Sequence, residues 1–272
     1  CLRSDPALER PDIQYYLVPN AMNPNGSATY LPTFHGYNIH WCGLRPESRG
    51  SVSLTSANPF DAPRIAHNYL STRADKALNR YALRLARELH AQRAFDEFRG
   101  EELDPGPNCT TDADIDGFMS KFVSSHYHPV GTCKMGQDDN AVVDAKLRIH
   151  GLDGIRVVDA SIMPLLVGAN TNAPTIMIAE KAAEMIKADI VMKVSDVSNV
   201  PRMKAVQAVD TIIDAMKDAL CEGRRIELRG FGVFQVRDRK KGVGRNPKTG
   251  VEVAITPGRT VRFKPGKDLK NL

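Results

Sequence analysis

Two constellations in this 272-residue chain carry residue types that do chemistry. The first is basic. Between Arg237 and Lys248 stand Arg237, Arg239, Lys240, Lys241, Arg245 and Lys248, against a single acid, Asp238. Asn246-Pro247-Lys248-Thr249-Gly250 is a turn signal between strand-like stretches, so the run reads as a hairpin. Such a hairpin presents cations to both strands of a duplex, whose phosphates attract Lys and Arg. Pro247 at its tip is apolar, rigid and lacks an N–H. It can wedge between base pairs without leaving a buried donor unpaired. Charge alone does not decide this, because a solvated surface hairpin carries the same residues. The Gly244 to Gly250 loop is no phosphate-binding loop: its glycine spacing differs and no Gly-Lys-Ser/Thr follows.

The second constellation is His126-Tyr127-His128-Pro129-Val130-Gly131-Thr132-Cys133-Lys134-Met135-Gly136. Downstream stand Val157-Val158-Asp159-Ala160-Ser161-Ile162-Met163-Pro164 and Asn170-Thr171-Asn172-Ala173-Pro174-Thr175. His126 and His128 lie two apart, which suits neither face of a helix as a ligand pair, and no HExxH pattern exists. The five cysteines show no CxxC or metal-ligand spacing and read as reduced thiols. No metal is therefore expected.

Elements must position these residues. Residues 13–18, 37–42 and 51–55 read as strands between Gly, Pro, Asn and Ser. Residues 73–93 carry apolar residues at helical spacing without an internal Gly or Pro. Thr111-Asp112 caps a second helix through about residue 123, and 155–158 reads as a short buried strand. Pro174 fits the first turn of another helix. Nothing stops that helix, so one helix is expected over 175–194. Pro201 suits the first turn of the next helix, which has an apolar stripe of Val206, Val209, Ile212, Ile213, Met216 and Leu220. Strand alternation follows, at Ile226 and Leu228 and then at Phe231, Val233 and Val236.

Charge divides the chain. From Lys187 onward there are 19 Lys+Arg and 10 Asp+Glu; the preceding 186 residues carry 18 and 22. A basic C-terminal unit suggests a polyanionic partner and the acidic N-terminal unit does not. No run of about 18 apolar residues exists, so no bilayer-spanning segment is expected.

Gly230-Phe231-Gly232-Val233-Phe234, followed by Gly244-Arg245-Asn246-Pro247-Lys248-Thr249-Gly250, resembles the HU/IHF family over about 187–272. The resemblance implies two helices, a three-stranded sheet with a long β-arm and a short final helix. It also implies an intertwined homodimer that bends double-stranded DNA, and with it a cytoplasmic, nucleoid-associated location. The DNA-binding residues are then Arg237, Arg239, Lys240, Lys241, Arg245, Asn246, Pro247 and Lys248. Two positions depart from the family pattern: Gly242, where Arg, Ser or Thr is usual, and the acid Asp238.

The histidine constellation resembles the C-terminal part of GMC flavoenzymes, most closely choline-dehydrogenase-like members, over about residues 1–186. By that resemblance His128 and Asn170 occupy the two catalytic positions, and Asp159, Ala160, Asn172 and Pro174 lie near FAD. The chemistry is coherent. Histidine can take a hydroxyl proton near neutral pH, and asparagine can donate a hydrogen bond to a developing alkoxide. The family's GxGxxG flavin-binding unit is absent from the sequence. FAD is thus implied by resemblance only, and a flavin domain becomes a missing partner. The expectation is an α+β fusion. A GMC-type substrate-domain fragment, antiparallel sheet with helices, is inactive alone, and an HU-like domain binds and bends DNA with little sequence readout. The competing reading is an FAD-dependent choline or alcohol dehydrogenase completed by a supplied flavin domain.

Overall fold

The computed structural model describes residues 1–20, 35–238, 243–245, 252–254 and 258–270. The chain divides into two compact units, Cys1–Ala183 and Glu184–Leu272.

The first unit is organised on an antiparallel ribbon of β1 (Ile13–Val18) and β2 (Asn38–Gly43). Tyr15 pairs with Trp41 and Tyr16 with His40. Successive side chains point to opposite faces, so the ribbon has two distinct sides. Tyr15 and Trp41 meet α1 (Arg73–His90): Tyr15 Oη donates to the Ala82 carbonyl at 2.8 Å and Trp41 Nε1 to Asn79 Oδ1 at 3.0 Å. Tyr16 and His40 take the other side, where Tyr16 meets His126 at 4.5 Å between ring centroids. A second, exposed pair joins β3 (Ser51–Ser53) to β4 (Arg64–Ala66). The expected strand over 51–55 ends at Ser53, and three residues of β4 are too few to display alternation in the sequence.

Helix α1 opens on Thr72, whose hydroxyl accepts from the Asp75 N–H. Asp75 itself is buried and receives the Glu47 and Ser48 amides at 2.9 and 2.8 Å. Burial opposes its ionisation, but these bonds and those from the Ser48 and Thr72 hydroxyls outweigh it and hold the carboxyl below its usual range. Helix α2 (Asp112–Phe122) begins with a reciprocal capping box between Thr111 and Asp114. Leu83, Cys109, Ile115 and Met119 form the core between the helices, with Trp41, Leu70 and Phe118 packed on it.

A loop-rich segment follows. Residues 155–158, expected as a buried strand, make only a single bridge, Arg148 with Arg156, and Ile155 is half exposed. Without a neighbouring ladder among the described residues, their backbone groups cannot form a strand. A short 3-10 turn, Ala160–Ile162, comes next. Val143, Leu147, Ile162 and Met163 pack against Ile178 and Ala182 of α3 (Asn172–Ser198). Leu165 and Ile176 stay exposed.

Helix α3 is continuous for 27 residues and contains the whole span 175–194 expected to be helical. Its later turns belong to the second unit, where Val191 packs with Ala205 and Val209 of α4 (Arg202–Cys221), and Lys187 pairs with Asp210. Pro201 falls one residue earlier than expected, at the extended position before α4. The sheet has the order β5-β6-β9: β5 (Ile226–Leu228), β6 (Gly232–Asp238) and β9 (Arg259–Pro265). A separate pair joins β7 (Val243–Arg245) and β8 (Glu252–Ala254), and α5 (Lys267–Lys270) closes the described chain. Gly232 lies at φ 156°, and an added Cβ would sit 2.6 Å from the Lys264 carbonyl oxygen, so the approach of β6 to β9 there requires glycine.

Candidate functional sites

In the first unit the structure brings His128 and Asn170 together. Asn170 Nδ2 lies 2.9 Å from His128 Nε2, and Thr171 Oγ1 lies 2.9 Å from His128 Nδ1. Gln14 on β1 donates to Asn170 Oδ1 at 3.4 Å, which turns the amide nitrogen toward the imidazole. In that arrangement Asn170 donates to Nε2, and the ring proton sits on Nδ1 facing the Thr171 hydroxyl. The imidazole then presents Nε2 as its lone-pair nitrogen.

The ribbon face beside this pair holds further polar groups. Tyr16 packs against His126 with the rings tilted by 41°, and the His126 ring centroid is 6.3 Å from that of His128. Burial drives the Tyr16 hydroxyl above its ordinary range; Cys42 adds to this and Asn170 opposes it. Burial lowers the His40 and His126 pKa values, and for His126 the neighbouring His128 and His40 add to the effect. Among the described residues, Tyr16 Oη and His40 Nε2 are buried without a hydrogen bond of good geometry. Asp159 caps the 3-10 turn begun by Ala160, its carboxylate accepting from the Ser161 N–H at 2.8 Å. Asn172 and Pro174 stand in the first turn of α3.

In the second unit the register of β6 and β9 sorts side chains by chemistry. Val233 pairs with Lys264, Gln235 with Arg262 and Arg237 with Thr260, which collects Arg237, Arg262 and Lys264 on one exposed face. The opposite face carries Phe234 against Phe263 and Val236 against Val261. Phe231 completes an aromatic cluster there, 5.3 Å from Phe263. Of the arm residues, Arg245 lies on β7, while Arg239, Lys240, Lys241, Asn246, Pro247 and Lys248 lie outside the described residues.

Comparison with known proteins resolves the two halves. Residues 46–179 match the GMC oxidoreductase family model and residues 185–272 the bacterial DNA-binding protein model. The chain joins a GMC oxidoreductase C-terminal segment to an HU-like bacterial DNA-binding domain. The oxygen-dependent choline dehydrogenase of Vibrio vulnificus is 49% identical over 187 residues, 68% of this chain and 33% of the relative. That of Chromohalobacter salexigens is 45% identical over 186 residues, again 33% of its length. The chain thus spans about a third of the length of these relatives. The crystal structure of pyridoxine 4-oxidase from Mesorbium loti matches 67% of this chain and 36% of its own, at 34% identity and a TM-score of 0.58.

Several residues that the sequence did not disclose border these sites. In the GMC segment they are Gln14, Tyr16, His40 and Thr171, contributed by a ribbon and a helix start distant in sequence from His128. In the DNA-binding domain they are Arg262 and Lys264, single cations among Val, Phe and Pro that make no basic run.

Proposed function

We propose that this chain acts through its HU-like domain, binding duplex DNA by shape and phosphate charge with little base readout, and bending it. The observation that carries this reading is the β6–β9 register, which lays Arg237, Arg262 and Lys264 on one sheet face. Arg237 lies on β6 and Arg245 on β7, on either side of the segment that carries Arg239, Lys240 and Lys241. Cations on a sheet face and on a hairpin contact phosphates and fix the protein on the duplex without reading sequence. Pro247 then supplies the wedge that kinks it. The domain works as a homodimer: Phe231, Val261 and Phe263 are 48%, 50% and 39% exposed, and Ile212 and Ile213 of α4 are exposed as well. Apolar residues grouped on an uncovered sheet face are the mark of an association surface. Nucleoid association follows from DNA binding.

The deciding experiment measures end-to-end FRET on a short duplex. The parent chain shortens the end-to-end distance, and Pro247→Ala binds with nearly the same affinity but bends less. An unchanged bend angle removes Pro247 from the mechanism.

The His128–Asn170 geometry favours a second reading, oxidation of choline or another alcohol when a flavin-binding part is supplied. With an alcohol bound, the Asn170 amide would turn from His128 Nε2 to the substrate oxygen, and the freed Nε2 would take the hydroxyl proton. Asn172, exposed at the start of α3, half-buried Pro174, and the turn capped by Asp159 before Ala160 would border the flavin ring. FAD, when bound, supplies the hydride acceptor. The sequence holds no GxGxxG to cradle the pyrophosphate, so the segment alone is proposed to be inactive. Choline turnover by the chain with a dye acceptor, lost in His128→Ala, would overturn that inactivity.

A further inference from the structure

Among the described residues two side chains hold the His128 ring, Asn170 at Nε2 and Thr171 at Nδ1, each at 2.9 Å. In the alcohol-oxidation reading, on which this inference rests, a bound alcohol draws Asn170 away and Thr171 stays. The position of Thr171 suits that role. It is 8% exposed. Its carbonyl accepts the Thr175 N–H at 3.0 Å and the Thr175 hydroxyl at 2.7 Å, which ties the residue to the first turn of α3. The loop that carries His128 is held as well. Tyr127, just before it, has φ 61°, a left-handed conformation that is uncommon outside glycine. Beyond it, the Cys133 N–H donates to the Ser161 carbonyl at 3.0 Å and the Met135 N–H to that of Ile162 at 2.8 Å.

We propose that Thr171 is a positioning residue for His128: its hydroxyl oxygen accepts the Nδ1 proton in every state of the ring and so keeps Nε2 free to take the proton of an alcohol. In the resting ring Asn170 donates to Nε2 while Nδ1–H faces Thr171. With an alcohol bound, the substrate hydroxyl donates to Nε2 instead. On transfer the alcohol O–H breaks, its electron pair stays on the oxygen and Nε2–H forms. The ring is then an imidazolium whose Nδ1–H still points at Thr171. Nδ1 carries its proton throughout, so it needs an acceptor that does not change. A hydroxyl oxygen is such an acceptor and brings no charge of its own. Without it a buried N–H is left unpaired, and the ring moves its proton to Nε2, where a reversed Asn170 amide accepts it. Nε2 then has no lone pair for the alcohol.

Ring-nitrogen NMR on the full chain tests this at pH about 8.5, where an imidazole is neutral. The His128 signals, among those of seven histidines, are identified by their loss in His128→Gln. The parent shows Nδ1 protonated and Nε2 bare. Thr171→Val keeps the shape of threonine without its oxygen and shifts the tautomer ratio about fivefold or more toward Nε2–H. Thr171→Ser keeps the parent ratio, which separates the hydrogen bond from packing. Thr171→Cys, whose sulfur is a weak acceptor, moves the ratio the same way as Thr171→Val but less, and decides should Thr171→Val fail to fold. The proposal is overturned if the major form of the parent carries its proton on Nε2, if the variants lacking the oxygen keep the parent ratio, or if Thr171→Ser shifts as far as they do. The measurement needs neither flavin nor choline. Absence of alcohol oxidation with a supplied flavin-binding part counts against that reading alone, and an unmoved tautomer ratio against this proposal alone.

Discussion

Asn170 Nδ2 lies 2.9 Å from His128 Nε2, and the next residue, Thr171, places its hydroxyl 2.9 Å from the other ring nitrogen. Two consecutive residues before α3 therefore clamp both sides of one imidazole. The first prediction is that Asn170→Ala lets the ring sample both tautomers. A hydrogen bond worth about 0.5–1.5 kcal/mol biases the tautomer ratio by roughly 2- to 13-fold. Nitrogen NMR shifts of His128 read this directly. Unchanged ring-nitrogen shifts in the variant would mean that Asn170 does not set the tautomer.

A second prediction concerns salt. DNA affinity of the parent falls steeply with ionic strength, with a slope of log K against log salt of about −0.9 per neutralised phosphate. Replacing Arg262 and Lys264 together by Ala flattens that slope, as replacing Arg245 and Lys248 does. If only the arm pair alters the slope, the β6–β9 face is not in contact with phosphate.

These two cases show what the sequence discloses and what it hides. Contiguous signals were legible: the basic run, the motif around His128, the Thr111 cap of α2, and an α3 that continues past residue 183 without a break. Helix formers without Gly or Pro reveal such continuity locally. Arg262 and Lys264 stayed hidden because their grouping with Arg237 depends on antiparallel register, which no local pattern states. Thr171 stayed hidden behind Asn170, since both are small polar residues and only backbone direction decides which nitrogen each meets. The expected strand over 155–158 failed for the converse reason. Its apolar residues suit a strand, but no ladder among the described residues receives it.

A third prediction follows from burial of histidine in the GMC segment. Burial lowers the pKa of His40, His90 and His126 below the ordinary imidazole value. The unfolded chain then binds more protons than the folded one, so stability falls as pH drops through about 6.5 and continues to fall until the folded-state values are passed. A separate loss comes at lower pH. Asp144, held down to about 2 first by its bond from the Arg148 side chain, contributes stability that is lost as pH falls from about 4 through 2. Thermal melts across pH test both, with each kcal/mol lost lowering Tm by about 2–4 °C. His90, stacked on Tyr37 at 5.0 Å, is the simplest probe, and His90→Gln reduces the loss in the upper window. A melting temperature flat from neutral pH down to about 5 would contradict the lowering of these imidazole pKa values by burial.

The last prediction concerns the apolar face of the DNA-binding domain. Val236 and Val261 pair directly across β6 and β9, and Phe234 pairs with Phe263 one step along. The α4 stripe runs the same way: Val209 is buried, yet Ile212 and Ile213 are 60% and 43% exposed. In the proposed homodimer a second copy of the domain would cover this stripe with a matching face by two-fold symmetry. Val261→Asp places a carboxylate on that face, where burial without a partner is prohibitively costly. The variant should therefore be monomeric by light scattering at concentrations where the parent is dimeric. DNA binding falls further than one lost contact accounts for, because two arms on one duplex raise avidity by about 10²–10⁴ over one. Arg262→Ala serves as the control, weakening binding in proportion to its own charge while the dimer persists. If Val261→Asp remains dimeric, the Phe231, Val261 and Phe263 surface is not where the protomers meet.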